Sequence, residues 1–231
     1  MFLIVSLKTQ SNLLANFQRW YYLFKHILTT LPLLVLVPIT ATANADRTEQ
    51  AAKMVEMLVF EIQDIAGTVS TDEEIYKQAD DIISRYFEYE TLASFTIGPY
   101  WRNATEDQKQ RYLKTFRTVM VEQAAKNFDY FRTLEYRFQS SQRKGNNWII
   151  VNGIVHDTTG QYPDAQVSWR ISDKADNKLY IFDLSFENVS MIITQKDENM
   201  AVIRQNKGSL DVLIDLLAKK SIELKQSRLG N

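Results

Sequence analysis

The chain has 231 residues, 27 basic and 28 acidic side chains, a formal net charge of −1 and no cysteine. This near-neutral balance argues against nucleic acid, whose binding calls for a basic face. The missing cysteines exclude disulfides, a thiol nucleophile and every cysteine-ligated metal site.

The first 45 residues set the compartment. Residues 1–26 hold Lys8, Arg19 and Lys25 and no acid; an apolar run follows from Ile27 to Ile39, and Ala41, Ala43 and Ala45 alternate after it. A positive start, a short apolar run and an A-x-A site at Ala43-Asn44-Ala45 predict a signal peptide over residues 1–45, cleaved after Ala45. The apolar run, interrupted by Pro32 and Pro38, is too short for a membrane span of about 20 residues. Residues 46–231 then form one exported domain with 24 basic and 28 acidic side chains, net −4. Its length suits a single hydrophobic core.

The first half of that domain reads as helices. Ala51, Met54, Val55, Leu58, Val59, Ile62 and Ile65 repeat at helical spacing over Thr48 to Ala66, and Gly67 is the expected stop. Thr71 with Glu74 makes a capping box before a stripe of Ile75, Ala79, Ile82, Ile83, Tyr86 and Phe87. Gly98-Pro99 marks a turn. Thr105 with Gln108 opens a long helix carrying Tyr112, Leu113, Phe116, Val119, Met120, Ala124 and Phe128.

From Leu134 the period becomes two. Four strands are expected: Leu134 to Phe138, Trp148 to His156, Gln166 to Ile171 and Lys178 to Glu187. Gly145-Asn146-Asn147 is the turn between the first two. In the fourth, alternation places Tyr180, Phe182, Leu184 and Phe186 on one face and Ile181, Asp183, Ser185 and Glu187 on the other. Helical patterns return at Asn199 to Gln205 and after Gly208-Ser209, with Leu210, Leu213, Ile214 and Leu217 inward. The order implies an α+β fold, helices packed on an antiparallel sheet of about four strands.

Catalytic signals are few. After export one histidine remains, His156, at a strand end. No G-x-S-x-G elbow, H-E-x-x-H pair or glycine-rich phosphate loop accompanies it. Asp72-Glu73-Glu74 lies in a first helical turn, where negative charge complements the dipole, and Asp80-Asp81 lies on a polar helix face. No catalytic residue, metal or cofactor is expected. The aromatics of the helical half read either as packed core or as the wall of a cavity.

From Phe87 onward the sequence resembles a known family. Phe87-Glu88-Tyr89, Leu92-Ala93-Ser94 and Gly98-Pro99-Tyr100-Trp101-Arg102-Asn103-Ala104-Thr105 with Gln108 resemble the F-D/E…A…L-G…W-R-x-A-T…Q stretch of the MlaC (toluene-tolerance auxiliary-protein) family. Asn127-Phe128-Asp129-Tyr130, Tyr180-Ile181-Phe182-Asp183-Leu184, Glu187-Asn188-Val189-Ser190-Met191-Ile192 and Gly208 to Ile214 are similar to its later segments, so the resemblance spans about Met54 to Leu217. Asn188 stands where the family has Gly, so the turn there is expected to use a left-handed asparagine. A strand-initial Trp is missing before Leu179-Tyr180, and Gln195-Lys196 replaces a Tyr-Arg pair.

The resemblance implies a periplasmic phospholipid carrier, NTF2-like in general shape, whose helices and sheet enclose an apolar pocket. It implies transfer between outer and inner membranes that maintains outer-membrane lipid asymmetry. Its partners would be an outer-membrane MlaA–porin complex and the inner-membrane MlaFEDB ABC transporter. The expected lining is Phe87, Phe95, Tyr100, Trp101, Phe116, Val119, Met120 and Phe128 from the helices, and Ile149, Val151, Val167, Trp169 and Ile171 from the sheet. Arg102 and Arg170 are the candidates for a lipid phosphate. Two readings from other classes stand beside this one: a hydrolase using His156, and a protein-binding adaptor with a filled core.

Overall fold

The structure, a computed structural model, describes residues 40–69, 71–174 and 178–230, with side chains from Arg47 onward except that of Asp129. The expected signal peptide lies outside the described residues as far as position 39, and only backbone is described at its expected cleavage site.

Helix α1 (Thr40–Thr68) runs on through Gly67, which keeps helical backbone instead of the left-handed conformation that would end the helix. Helix α2 (Asp72–Tyr86) is capped by Thr71, whose hydroxyl accepts from Glu74 N and donates to the Glu74 carboxylate. The reciprocal half of that box is absent. It is complete at Thr105 and Gln108. Between them lie α3 (Tyr89–Ile97) and α4 (Pro99–Asn103), broken apart by Gly98 at φ 53°. Helix α5 (Glu106–Lys126) is followed by the single turn α6 (Phe128–Phe131).

The sheet is antiparallel and consecutive: β1 (Leu134–Lys144), β2 (Trp148–Asp157), β3 (Ala165–Asp173), β4 (Leu179–Phe186) and β5 (Val189–Ser190). The fifth, two-residue strand exceeds the expected four. It exists because Glu187 and Asn188 both take positive φ, 47° and 65°, and turn the chain sharply back onto Ser185 and Phe186. Helices α7 (Met191–Gln205) and α8 (Leu210–Leu229) close the chain, each capped by a serine. The seventh begins eight residues before its expected start at Asn199, at the cap Ser190 supplies.

One expected face assignment is corrected. β3 and β4 slip register between Arg170 and Ile171, so Arg170 faces Asp183 while Ile171 faces Ile181. The extra residue is Phe182. A one-residue bulge breaks the period of two. Ile181 and Leu184 therefore pack with the helices on one sheet face, and Phe182 joins the residues packed on α3 and α7.

The apolar interior divides into two clusters. In the first, α1, α2 and the end of α5 cover Ile149, Val151, Trp169, Ile171 and Ile181 of the sheet. The second joins α3, α5, α7 and α8 around Tyr112, Phe116, Ile203 and Leu213. Phe87 and Met120 touch both. A buried ion pair ties the C-terminal helix in: Arg228 Nε donates to Glu122 Oε2 at 3.0 Å, the two side chains 7% and 4% exposed, and Arg228 Nη1 donates to the Asp72 carbonyl. Arg228→Ala leaves the Glu122 charge buried and unpaired, an expected loss of about 3–5 kcal/mol of stability. Urea unfolding should show the Glu122→Leu/Arg228→Leu double variant losing less than the single one.

Candidate functional site

Helix α1 and the sheet share an apolar layer. Ala51, Val55, Leu58 and Ile65 recur at helical spacing along α1 and are at most 7% exposed. They face Ile149 and Val151 of β2, Trp169 and Ile171 of β3 and Ile181 of β4. From edge strand β1, Tyr136 reaches inward across Gly153, where a Cβ would sit 2.3 Å from its ring. Only glycine permits that approach.

Among the described residues four polar side-chain atoms are buried without a hydrogen-bond partner; Tyr136 Oη and Trp169 Nε1 belong to this layer, and the other two are Gln123 Oε1 and Arg143 Nε. Leaving such a group unsatisfied costs about 1–3 kcal/mol. Native interiors hold few of them, and each calls for an explanation. The tyrosine hydroxyl and the indole N–H are donors, the glutamine oxygen an acceptor. Burial, aided by the nearby Glu56 charge, pushes the Tyr136 phenol up to about 12, so it keeps its proton at neutral pH. Unpartnered donors among apolar side chains are chemically suited to neutral oxygen acceptors.

Ion pairs fasten α1 over this layer. Asp173, at the end of β3, accepts from Arg47 of α1 and from Arg143 of β1. Farther along α1, Glu61 accepts from Arg85 and, at 2.9 Å, from the Tyr86 hydroxyl. Burial by itself raises the Asp173 carboxyl, and the two guanidinium groups overcome it, holding the group below the ordinary carboxylate value.

The structure sorts the expected lining residues into two places. Phe128, Ile149, Val151, Trp169 and Ile171 belong to the α1–sheet layer, with Phe87 and Met120 at its junction with the second cluster. Val167 is buried on the same sheet face, opposite Gly153. Phe95, Tyr100, Trp101, Phe116 and Val119 are in the second cluster instead. Arg102 is exposed on α4. Arg170 lies on the opposite face of β3 from Trp169, with Phe95 in a groove whose floor includes Trp148, Ile150 and Phe182.

Sequence reasoning missed Gln123, Tyr136, Trp148, Ile150 and Phe182. A signal for part of this was present: Trp148-Ile149-Ile150-Val151 is apolar at both phases, the mark of a strand covered on both faces. His156 pairs through Nδ1 with Asp164 at 2.6 Å, both well exposed, and among the described residues no hydroxyl contacts its other nitrogen. Among the described residues no cluster of His, Asp and Glu is arranged to hold a metal ion.

Comparison with known proteins points one way. The MlaC protein family matches over residues 53–219. The chain is 21% identical over 205 residues to the intermembrane phospholipid transport system binding protein MlaC of Haemophilus influenzae, covering 87% of this chain and 92% of that one. Its fold is similar to that of a phospholipid-binding protein from Ralstonia solanacearum solved in complex with a phospholipid. That likeness has a TM-score of 0.64 at 16% identity and covers 76% of this chain and 98% of the other.

The Asp173 clamp makes a pH prediction. Its folded-state pKa is depressed, so its contribution is present above the unfolded value of about 3.9 and is lost as pH falls through the folded value. Asp173→Asn should cost about 1.5–3 kcal/mol at pH 7, the worth of hydrogen bonds to a charged group. In urea titrations the difference from wild type should shrink steadily below about pH 4.

Proposed function

Because the chain belongs to the MlaC protein family, we propose that it is a periplasmic carrier that holds a phospholipid with its acyl chains in the α1–sheet layer and its head group toward solvent. The relatives support the cargo: one is named for intermembrane phospholipid transport, and one was solved with a phospholipid. The observation that carries the reading in this chain is the pair of buried donors, Tyr136 Oη and Trp169 Nε1, without partners in an otherwise apolar layer. Ester carbonyls at the root of the acyl chains are acceptors of the right kind for both.

The physics of the cargo sets the demand. Each methylene withdrawn from water is worth about 0.8 kcal/mol, so two acyl chains cannot leave a bilayer for water at a useful rate. A carrier must exchange one apolar environment for another by docking. Phe128, Met120, Ile149, Val151, Val167, Trp169 and Ile171 form the chain-facing surface in this reading. Phe87, Phe95, Tyr100, Trp101, Phe116 and Val119 back it through the second cluster. No step requires an acid, base, metal or cofactor.

The reading places the carrier between membranes after removal of residues 1–45. No helix among the described residues is long and apolar enough to cross a membrane. Docking partners are an outer-membrane MlaA–porin complex and the inner-membrane MlaFEDB transporter, and the transfer maintains outer-membrane lipid asymmetry.

Protein purified from the periplasm should yield about one phospholipid per chain on solvent extraction and native mass spectrometry; chains repeatedly free of lipid would overturn the proposal. Trp169→Phe keeps the apolar ring and removes the unpartnered N–H. It should leave the stability of the lipid-free chain unchanged or raised, while phospholipid affinity falls about tenfold, or about 1.4 kcal/mol. A loss of stability with unchanged affinity would assign Trp169 to packing alone.

A further inference from the structure

The sheet has a second apolar face. Trp148 and Ile150 of β2 point away from α1, as do Arg170 and Ser172 of β3, and the β4 bulge turns Phe182 to the same side. With Phe95 of α3 these side chains floor a groove of about 1110 Å³. Ligand sites for small molecules run to about 1,000 Å³, so the space is ample. Phe182 stands edge-on to both Trp148 and Phe95, with ring centroids 5.0 and 5.2 Å apart. Interlocked rings hold the floor in place before any ligand arrives.

The rim is cationic. Lys144, Arg170 and Lys174 line it against a single acid, Glu88. Lys174 is paired with Glu88. Arg170 is 3.9 Å from Asp183, a carboxylate already taken by the Ser190 hydroxyl at 2.7 Å and the Ile192 amide at 3.1 Å, so the guanidinium is only loosely held. Lys144 is exposed and forms no ion pair among the described residues. A positive rim on a chain whose net charge is −1 is a local feature, and it selects anions.

We propose that this groove is a second binding site, specific for an amphiphile with an anionic head and a hydrocarbon chain, separate from the α1–sheet layer. The chain lies over Trp148, Ile150, Phe95 and Phe182. The head meets Lys144, Lys174 and the planar fork of Arg170, which matches phosphate or carboxylate oxygens in pairs. The sheet itself divides the two sites, since Ile149 and Val151 point inward where Trp148 and Ile150 point out. The proposal stands independently of the cargo reading.

The test is titration of the full chain, as purified, with three single-chain probes: 1-oleoyl-lysophosphatidic acid, oleate and 1-oleoyl-lysophosphatidylcholine. Calorimetry gives affinity and native mass spectrometry gives stoichiometry. The lysophosphatidic acid should bind one per chain, at least tenfold tighter than the zwitterionic probe, and leave any copurified phospholipid in place. Comparison with oleate then separates a phosphate-headed from a carboxylate-headed ligand. Lys144→Gln/Lys174→Gln should weaken anionic binding about tenfold without changing copurified lipid. Glu88→Gln removes the competing acid and should tighten it, which damage to the fold would not do. Equal affinity for the anionic and zwitterionic probes, indifference to both sets of substitutions, or mole-for-mole displacement of copurified phospholipid would overturn the proposal.

Discussion

The burial of one sheet face beneath α1 is the constraint from which the other features follow. Ile149, Val151, Ile171 and Ile181 are fully buried there, matched by Ala51, Val55 and Leu58 across the layer. Burial of apolar surface stabilises at roughly 25 cal/mol per Å². The ion pairs of Arg47, Arg143 and Arg85 orient the helix over the sheet, and they do so around the layer, leaving its middle apolar. Polar groups admitted to that middle, Tyr136 and Trp169, are for that reason chemically conspicuous.

The second cluster plays a different part. There the buried polar groups are satisfied: the Tyr112 hydroxyl is 2.7 Å from Thr96 Oγ1 and accepts from Asn199 Nδ2 at 3.1 Å, linking α3, α5 and α7. Burial pushes the Tyr112 phenol well above its ordinary value and the hydrogen bonds oppose it. A closed network specifies one arrangement of the helices it joins. The unsatisfied donors near α1, Tyr136 Oη and Trp169 Nε1, contrast with that closed network.

Much of the architecture was legible because it follows local rules. Helical periodicity found α2 and α5, capping chemistry found their starts at Thr71 and Thr105, a β-branched run after a turn found β2, and clean alternation found β3. The departures have physical causes. Gly67 keeps helical backbone, and α1 ends one residue later than expected, at Thr68. The β4 alternation broke at Phe182, since a bulge costs one residue of register and leaves no mark in composition. Of the expected lining, the sheet residues gathered in one layer, whereas Phe95, Tyr100, Trp101, Phe116 and Val119 went to the other cluster. A helix face records that a residue is inward, without recording which neighbour it meets.

Composition, period and motif order determined by themselves that this is an α+β chain without cysteine chemistry, of MlaC type, with an apolar sheet face and a helix to cover it. These properties are local or cumulative along the chain, so a single pass reads them. Tertiary structure alone decided that Tyr136 crosses Gly153, that Trp169 and Gln123 keep unpartnered polar atoms, and that Phe182 and Arg170 share a groove on the far side of the sheet. Each depends on strand register and on which helix lies opposite, and those are settled by the packing of residues distant in sequence.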